Sequence, residues 1–372
     1  MEIYIITLII LFFFALVEIR VDLKESQKRI MKIILFVIMV FQVGFRWETG
    51  TDWPPYLSNF NATAELNDAL FSIAIGFEPG YAFFVLLIRN ITENYSVFLV
   101  LHALLYYFFI FKAFKILTPY YFVTFMFFYA TNLGVMGSNR QLIALAICLF
   151  ALKYIITEKN AIKFFLLILV AFLFHTTALI FTVFYFFNKD IKKIWVVIIL
   201  FISFIIGKSS LPFSVFSLLG NLLGGASANK ADFYTEGAKE FLEENPLGFF
   251  GLLKRVLFLL LFSINYNFLS AKLPYYKYLF NGYYFGLIFY FLFSSTLLIL
   301  VNRGSLYFNV MECFLIASQL LVFKTRLDRS YLLLILFFFC VALLFQSISG
   351  YADLFVPYKG LFINSDYYRE MR

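Results

Sequence analysis

Long, uninterrupted apolar runs separated by short basic or turn-rich pieces leave this chain few folds to choose from. In hydrocarbon every backbone N–H and C=O must be bonded within the protein, so only helices and closed barrels span a bilayer. The runs are continuous rather than alternating, which selects helices. Hydrophobic residues make up 63% of the sequence and charged ones 14%, and the mean hydropathy of +0.88 exceeds what a soluble core needs. At roughly 20 residues per span, the chain provides for about 10–12 transmembrane helices plus short re-entrant or interfacial ones, with no room for a soluble domain. The expected fold is therefore all-α, a polytopic integral membrane helical bundle forming one transmembrane domain over residues 1–372, with outer loops at about 46–78 and 208–245. The run from Ile3 to Ile19 has neither a basic start nor a small-residue cleavage site and reads as a retained first helix.

A net charge of +8 raises the question of nucleic acid, but the lysines and arginines cluster in short loops between apolar runs, which is an orientation signal instead. The clusters at Arg20 to Lys32, Lys112 with Lys115, Lys153 to Lys163, Lys189 to Lys193, Lys272 with Lys277, and Lys324 to Arg329 are placed in the cytoplasm. The N-terminus then lies outside. To keep every cluster inside, residues 80 to 91 must enter and leave on the outer face as a short helix of about 18 Å. The run 162 to 187 must likewise break into two short helices meeting near His175, Thr176 and Thr177. Crossings at 194–207, 247–265, 279–301, 305–323 and 331–347 complete the map. Cys148, Cys313 and Cys340 all sit inside apolar runs, as small buried side chains rather than disulfide partners or metal ligands.

On this map Arg46, Arg140, His175, Lys254, Arg255 and Arg303 fall at or near the outer membrane surface. An arginine at the edge of a span costs a few kcal/mol and usually faces a polar cavity with a partner. Its planar fork suits a phosphate bidentately. A diphosphate carried on a lipid tail lies at this depth, so a polyprenyl diphosphate is the natural ligand. Each residue also has a plainer reading: interfacial snorkelling for Arg46, and a helix N-terminal flank capped by Ser138 or Asn139 for Arg140.

Asp52, Glu78 and His175 are the candidate proton-transfer groups, and a carboxylate beside arginines stays ionised, which favours a base over an acid. Glu78 with Pro79 equally reads as a helix start, and His175 as a satisfied core histidine. His102, in mid-span, reads as structural. Trp47, Trp53, Tyr56 and Tyr81 suit stacking on sugar faces or an interfacial aromatic belt. Two distant histidines offer no zinc site, and no phosphate-binding Gly-rich loop, nucleophile elbow or HExxH is found.

The run Arg46, Gly50, Asp52, Tyr56 resembles the Arg-x-x-x-Gly-x-Asp-x-x-x-Tyr signature of the EpsG-like and Wzy-type polysaccharide polymerases. Glu78-Pro79-Gly80-Tyr81, Asn139-Arg140-Gln141, Phe174-His175-Thr176-Thr177, Asn302-Arg303-Gly304-Ser305 with Tyr307, and Val356-Pro357-Tyr358 resemble that family's successive landmarks, from about residue 35 to 360. The resemblance implies a GT-C-like membrane glycosyltransferase of the bacterial inner membrane that joins polyprenyl-diphosphate-linked repeat units on the outer face. It implies no metal or other cofactor. Arg140, Arg255 and Arg303 would hold the diphosphates, with Arg46 joining them or binding Asp52. His175, ahead of Asp52 and Glu78, would be the base. Trp47, Trp53, Tyr56, Tyr81, Gln141 and Tyr358 would contact sugar. Donor and acceptor are both lipid-linked oligosaccharides in the membrane lipid, with a chain-length regulator and a flippase as further partners and no nucleic acid. An O-antigen ligase-like transferase and a flippase for the same lipid-linked sugar are the rival readings. The motif's place early in the chain favours a polymerase over the former, and the gathering of charge near one side disfavours the latter.

Overall fold

The computed structural model describes residues 1–223, 249–297, 301 and 303–369. Among them the chain is helical, with one isolated bridge between Arg46 and Gly360 and no strand. Four helices are long and apolar enough to cross a membrane, or up to six if each of two bent pairs counts as one span, with shorter apolar helices between them. It is a polytopic helical membrane protein. Most of the expected outer stretch 208–245 falls outside the described residues, as do Asn302 and residues 298–300 of the expected crossing 279–301.

The chain divides into two compact units, Met1–Thr182 with Leu320–Arg372, and Val183–Gln319. The first contains α1 (Glu2–Arg20), α2 (Glu25–Gly44), α3 (Trp53–Ala62), α4 (Leu66–Ala74), α5 (Pro79–Arg89), α6 (Tyr95–Leu117), α7 (Tyr121–Asn132), α8 (Asn139–Ile156) and α9 (Ala161–Phe174). Local chemistry sets these boundaries. Pro54 and Pro55 occupy the first turn of α3, and Pro79 opens α5, where a missing N–H costs nothing. Asn94 and Asn160 cap α6 and α9 through Ser96 N–H and Lys163 N–H. The stretch 46–78, expected as an outer loop, carries two short helices, α3 and α4, the latter started by reciprocal Glu65 and Asp68 bonds. The expected short helix at 80–91 is α5. The run 162–187 breaks at His175, which is extended at φ −158°, ψ 125°, and continues as a 3-10 helix over Thr176–Phe186.

α8 is the centre of this unit: 78% of its span is buried, against 33% for α1. It packs on α6 and α9, α6 packs on α2, and α5 leans on α9. At one end Glu18 accepts from the N–H groups of Tyr121 (2.8 Å) and Phe122 (3.0 Å), and the basic clusters at 20–32, 112–115, 153–163 and 324–329 gather there. At the other end the chain after α2 meets the C-terminal segment: Trp47 N–H donates to Lys359 O (2.9 Å), Leu361 N–H to Phe45 O (2.9 Å) and Gly50 N–H to Leu354 O (3.2 Å).

The second unit contains α10 (Lys193–Gly207), α11 (Leu211–Leu223), α12 (Phe249–Ile264), α13 (Tyr266–Lys272), α14 (Tyr276–Phe293), α15 (Leu306–Asn309) and α16 (Met311–Gln319). α14 packs against α10 and α16. Its two basic clusters meet through Lys277 and Asp190, 2.5 Å apart, and this pairing together with the Tyr266 hydroxyl holds the Asp190 carboxyl below its ordinary value. The chain then returns to the first unit through α17 (Arg326–Ser349), capped by Thr325, and α18 (Ala352–Phe355). Cys148, Cys313 and Cys340 are buried free thiols.

Candidate active site

The polar run after α2 is shaped by two glycines that touch. Gly50 (φ +109°) lies so close to the turn before α8 that a Cβ would stand 2.2 Å from Met136 O. Gly137 (φ +126°) reciprocates, its Cβ position lying 2.8 Å from Thr51 N. Only glycine combines the left-handed backbone with so close an approach. The pairing lays residues 50–56 across the start of α8, and Ser138 Oγ reaches Asp52 Oδ2 at 3.4 Å.

From there α8 presents Arg140. Its Nη1 donates to Glu78 Oε2 at 2.6 Å and to Gly76 O at 3.3 Å, and its Nε to Tyr56 Oη at 3.2 Å. The guanidinium lies 4.8 Å from the Phe77 ring centre. Burial pushes the Tyr56 phenol above its ordinary pKa, so it accepts this bond as a neutral hydroxyl. Glu78, nearly closed off from solvent, uses its other oxygen to accept Thr176 N–H at 3.3 Å. In the same turn His175 Nδ1 sits 2.7 Å from Thr177 Oγ1 and accepts Thr177 N–H at 3.3 Å. Tyr56 and Glu78 thus meet on one arginine that keeps part of its side chain exposed, and the turn after His175 reaches it through Glu78.

Arg46 departs from the expectation. It does not bind Asp52, and at 1% exposure it is a fully buried cation. Its Nη1 donates to Val43 O (2.5 Å) and its Nη2 to Asn139 Oδ1 (2.6 Å), while Nε has no hydrogen-bond partner among the described residues. Asn139, expected as a helix cap, is also a hub, because its carbonyl receives His102 Nε2 at 2.9 Å. His102, read as structural, braces the helix start that carries Arg140.

The aromatic residues expected to stack on sugars are mostly core. Trp53, Tyr56 and Tyr81 are 4%, 3% and 0% exposed and pack with Phe60, Tyr95 and Phe98; only Trp47 at the edge of the cluster keeps partial exposure. Their edge-on ring contacts, such as Trp47 to Trp53 at 5.2 Å, anchor the loop. Tyr358 is also buried, its hydroxyl donating to Gln42 O at 2.8 Å, and Gln141 is buried in α8. Arg255 and Arg303 belong to the second unit. Arg255 packs over Tyr290 at 4.3 Å and donates to Gly251 O; Arg303 is exposed. Lys254 is held at 2.8 Å by the buried Glu312, an acid within an apolar run that the sequence reading passed over. Among the described residues no group of three or more His, Cys, Asp or Glu side chains is placed to hold a metal ion.

The chain matches the EpsG family model over residues 29–360. The chain belongs to the EpsG family. No curated protein and no solved structure matches it. EpsG family membership supports a polysaccharide polymerase-like role in general, and the cluster around Arg140 is where this EpsG-family chain concentrates its polar chemistry.

Proposed function

We propose that this chain is a glycosyltransferase that joins lipid-diphosphate-linked oligosaccharide repeats into a polysaccharide, with both substrates entering at the end of the first unit that carries Arg140, on the outer face of the bacterial inner membrane. The observation that carries the proposal is the held guanidinium: Glu78, Tyr56 and Gly76 fix Arg140 in place, yet part of it stays open. A preorganised cation of this kind stabilises charge developing on a leaving diphosphate without reorganising during the step. Arg46, buried behind it with no carboxylate partner among the described residues, adds positive potential and acts as a positioning residue through Asn139.

In the proposed step a hydroxyl of the acceptor repeat attacks the anomeric carbon of the donor. The bond from that carbon to the diphosphate oxygen breaks, its electron pair leaves with the lipid diphosphate, and the hydroxyl proton passes to a base. Of the three candidates Asp52 is best placed. Both oxygens of Glu78 are engaged, and His175 Nδ1 is taken up by Thr177, at 2.7 Å from its Oγ1 and 3.3 Å from its N–H. Among the described residues Asp52 makes one long hydrogen bond, with Ser138. Arg255 and Arg303, in the second unit, remain candidates for phosphate binding there.

The test is complementation of a gene deletion with wild type, Arg140→Ala and Asp52→Asn, reading surface polysaccharide on a gel. The expected result is loss of the ladder with a single repeat still attached to its acceptor. Accumulation of free polymer would point to a ligase, and accumulation of lipid-linked repeats inside the cell to a flippase.

A further inference from the structure

Behind the Arg140 cluster, residues 48–54 and the turn and short helix after α17 enclose a recess of about 490 Å³, lined by Glu48, Thr51, Asp52, Trp53, Tyr351, Asp353 and Arg369 among others. That volume lies within the range of about 300–1,000 Å³ typical of small-molecule sites. The recess is opposite in character to its neighbour. Three carboxylates and one cation line it: Glu48 is neutralised from behind by Lys359 at 2.5 Å, and Arg369, which donates to the carbonyls of Glu48, Leu354 and Pro357 and to Thr49 Oγ1, offsets one of the two carboxylates that remain. Asp52 and Asp353 against Arg369 leave the open space net negative. Trp53 and Arg369 of the wall are more than nine-tenths buried, and Trp53 Nε1 and Arg369 Nε, both shut off from solvent, have no hydrogen-bond partner among the described residues. Tyr351 stands at the mouth with 53% of its surface exposed.

Carboxylates, which accept from hydroxyls, and an open aromatic ring are groups that recognise a sugar. A net negative wall excludes a diphosphate or a sugar acid, because like charges brought together out of water cost several kcal/mol. We propose that this recess binds the non-reducing end of the acceptor glycan, and that it takes neutral or amino sugars and rejects acidic ones. This inference rests on the polymerase reading above and adds the acceptor's place and chemical class. It also gives Asp52 its position: one side of residues 50–56 faces the arginine that takes the leaving group, the other the recess that presents the attacking hydroxyl.

The experiment uses the full-length protein in detergent and single repeat units prepared from the host's own surface polysaccharide, titrated by tryptophan fluorescence. Asp353, exposed and outside the catalytic cluster, is changed to Asn, with thermal melting as a check on folding. The expected result is saturable binding that Asp353→Asn weakens about tenfold, as loss of a hydrogen bond to a charged group does, while Arg140→Ala leaves it unchanged. Sugar analysis of the repeat should find no acid at its non-reducing end. Wild-type binding by Asp353→Asn, no binding by wild type, or an acidic terminal sugar overturns the inference. If Arg140→Ala abolishes the polymer ladder in cells while Asp353→Asn changes neither ladder nor binding, the polymerase reading stands and the acceptor recess falls. If Arg140→Ala leaves the ladder intact, the polymerase reading itself falls.

Discussion

At the residue scale the structure separates cations that are open from cations that are spent. Arg140 keeps a planar fork bonded on two edges, so Arg140→Lys, which retains the charge but not the fork, should cut polymer yield about tenfold while Arg140→Ala abolishes it, as read from the glycan ladder. Lys254 is the contrasting case. Its ammonium neutralises the buried Glu312, so Lys254→Ala leaves a stranded carboxylate and should cost about 3–5 kcal/mol, seen as a lowered Tm in detergent; Lys254→Met combined with Glu312→Leu should recover most of the loss. Gly50→Ala forces a side chain into a left-handed conformation against Met136 O. About 1–3 kcal/mol of strain should appear as a lower Tm and a shorter ladder. The Gly at this position was legible in the sequence as part of a motif, but its reason, contact with Gly137, was not, because the two lie 87 residues apart.

At the element scale the decisive feature is the broken run around His175. Basic loops at both ends demanded a break there, and α9 does end at Phe174. The break sets a backbone N–H of the following turn against Glu78, and α5 comes close enough for this because Gly80 lies against α9, with a Cβ position 2.8 Å from Leu173 O. Gly80→Val should push α5 off α9, detach Glu78 from Thr176 and lower polymer yield by more than its effect on Tm accounts for. Paired gels and melting curves measure both. The aromatic residues show where reading by element fails. Trp53, Tyr56 and Tyr81 sit beside polar motifs, which suggests stacking platforms, but helical periodicity turns them inward onto Phe60 and Phe98. In a chain with 22% aromatic residues the same side chains also form the core.

At the scale of the molecule the first unit has two unlike ends, one gathering basic loops and the other the candidate site. If the basic end faces the cytoplasm, Tyr351→Cys should react with a membrane-impermeant maleimide in intact cells, whereas Glu158→Cys, exposed at the basic end, should react only after the membrane is opened. The buried native cysteines give a low background. Equal labelling of both positions would remove the orientation on which the outer-face reading depends.

Apolar runs and loop charges by themselves determined the class of fold and the break at His175 and marked Arg140, Glu78 and Asp52 as candidates, since hydrophobic matching and the distribution of lysine and arginine are properties of local sequence. Only the tertiary structure decided which of these side chains touch. Arg46 turned inward to Asn139 rather than to Asp52, Lys254 was claimed by Glu312, and Asp52 came to border a recess closed by Tyr351, Asp353 and Arg369 from the far end of the chain. Such contacts join residues tens to hundreds of positions apart, and which of them form is settled by how the helices pack, which no local stretch of sequence encodes.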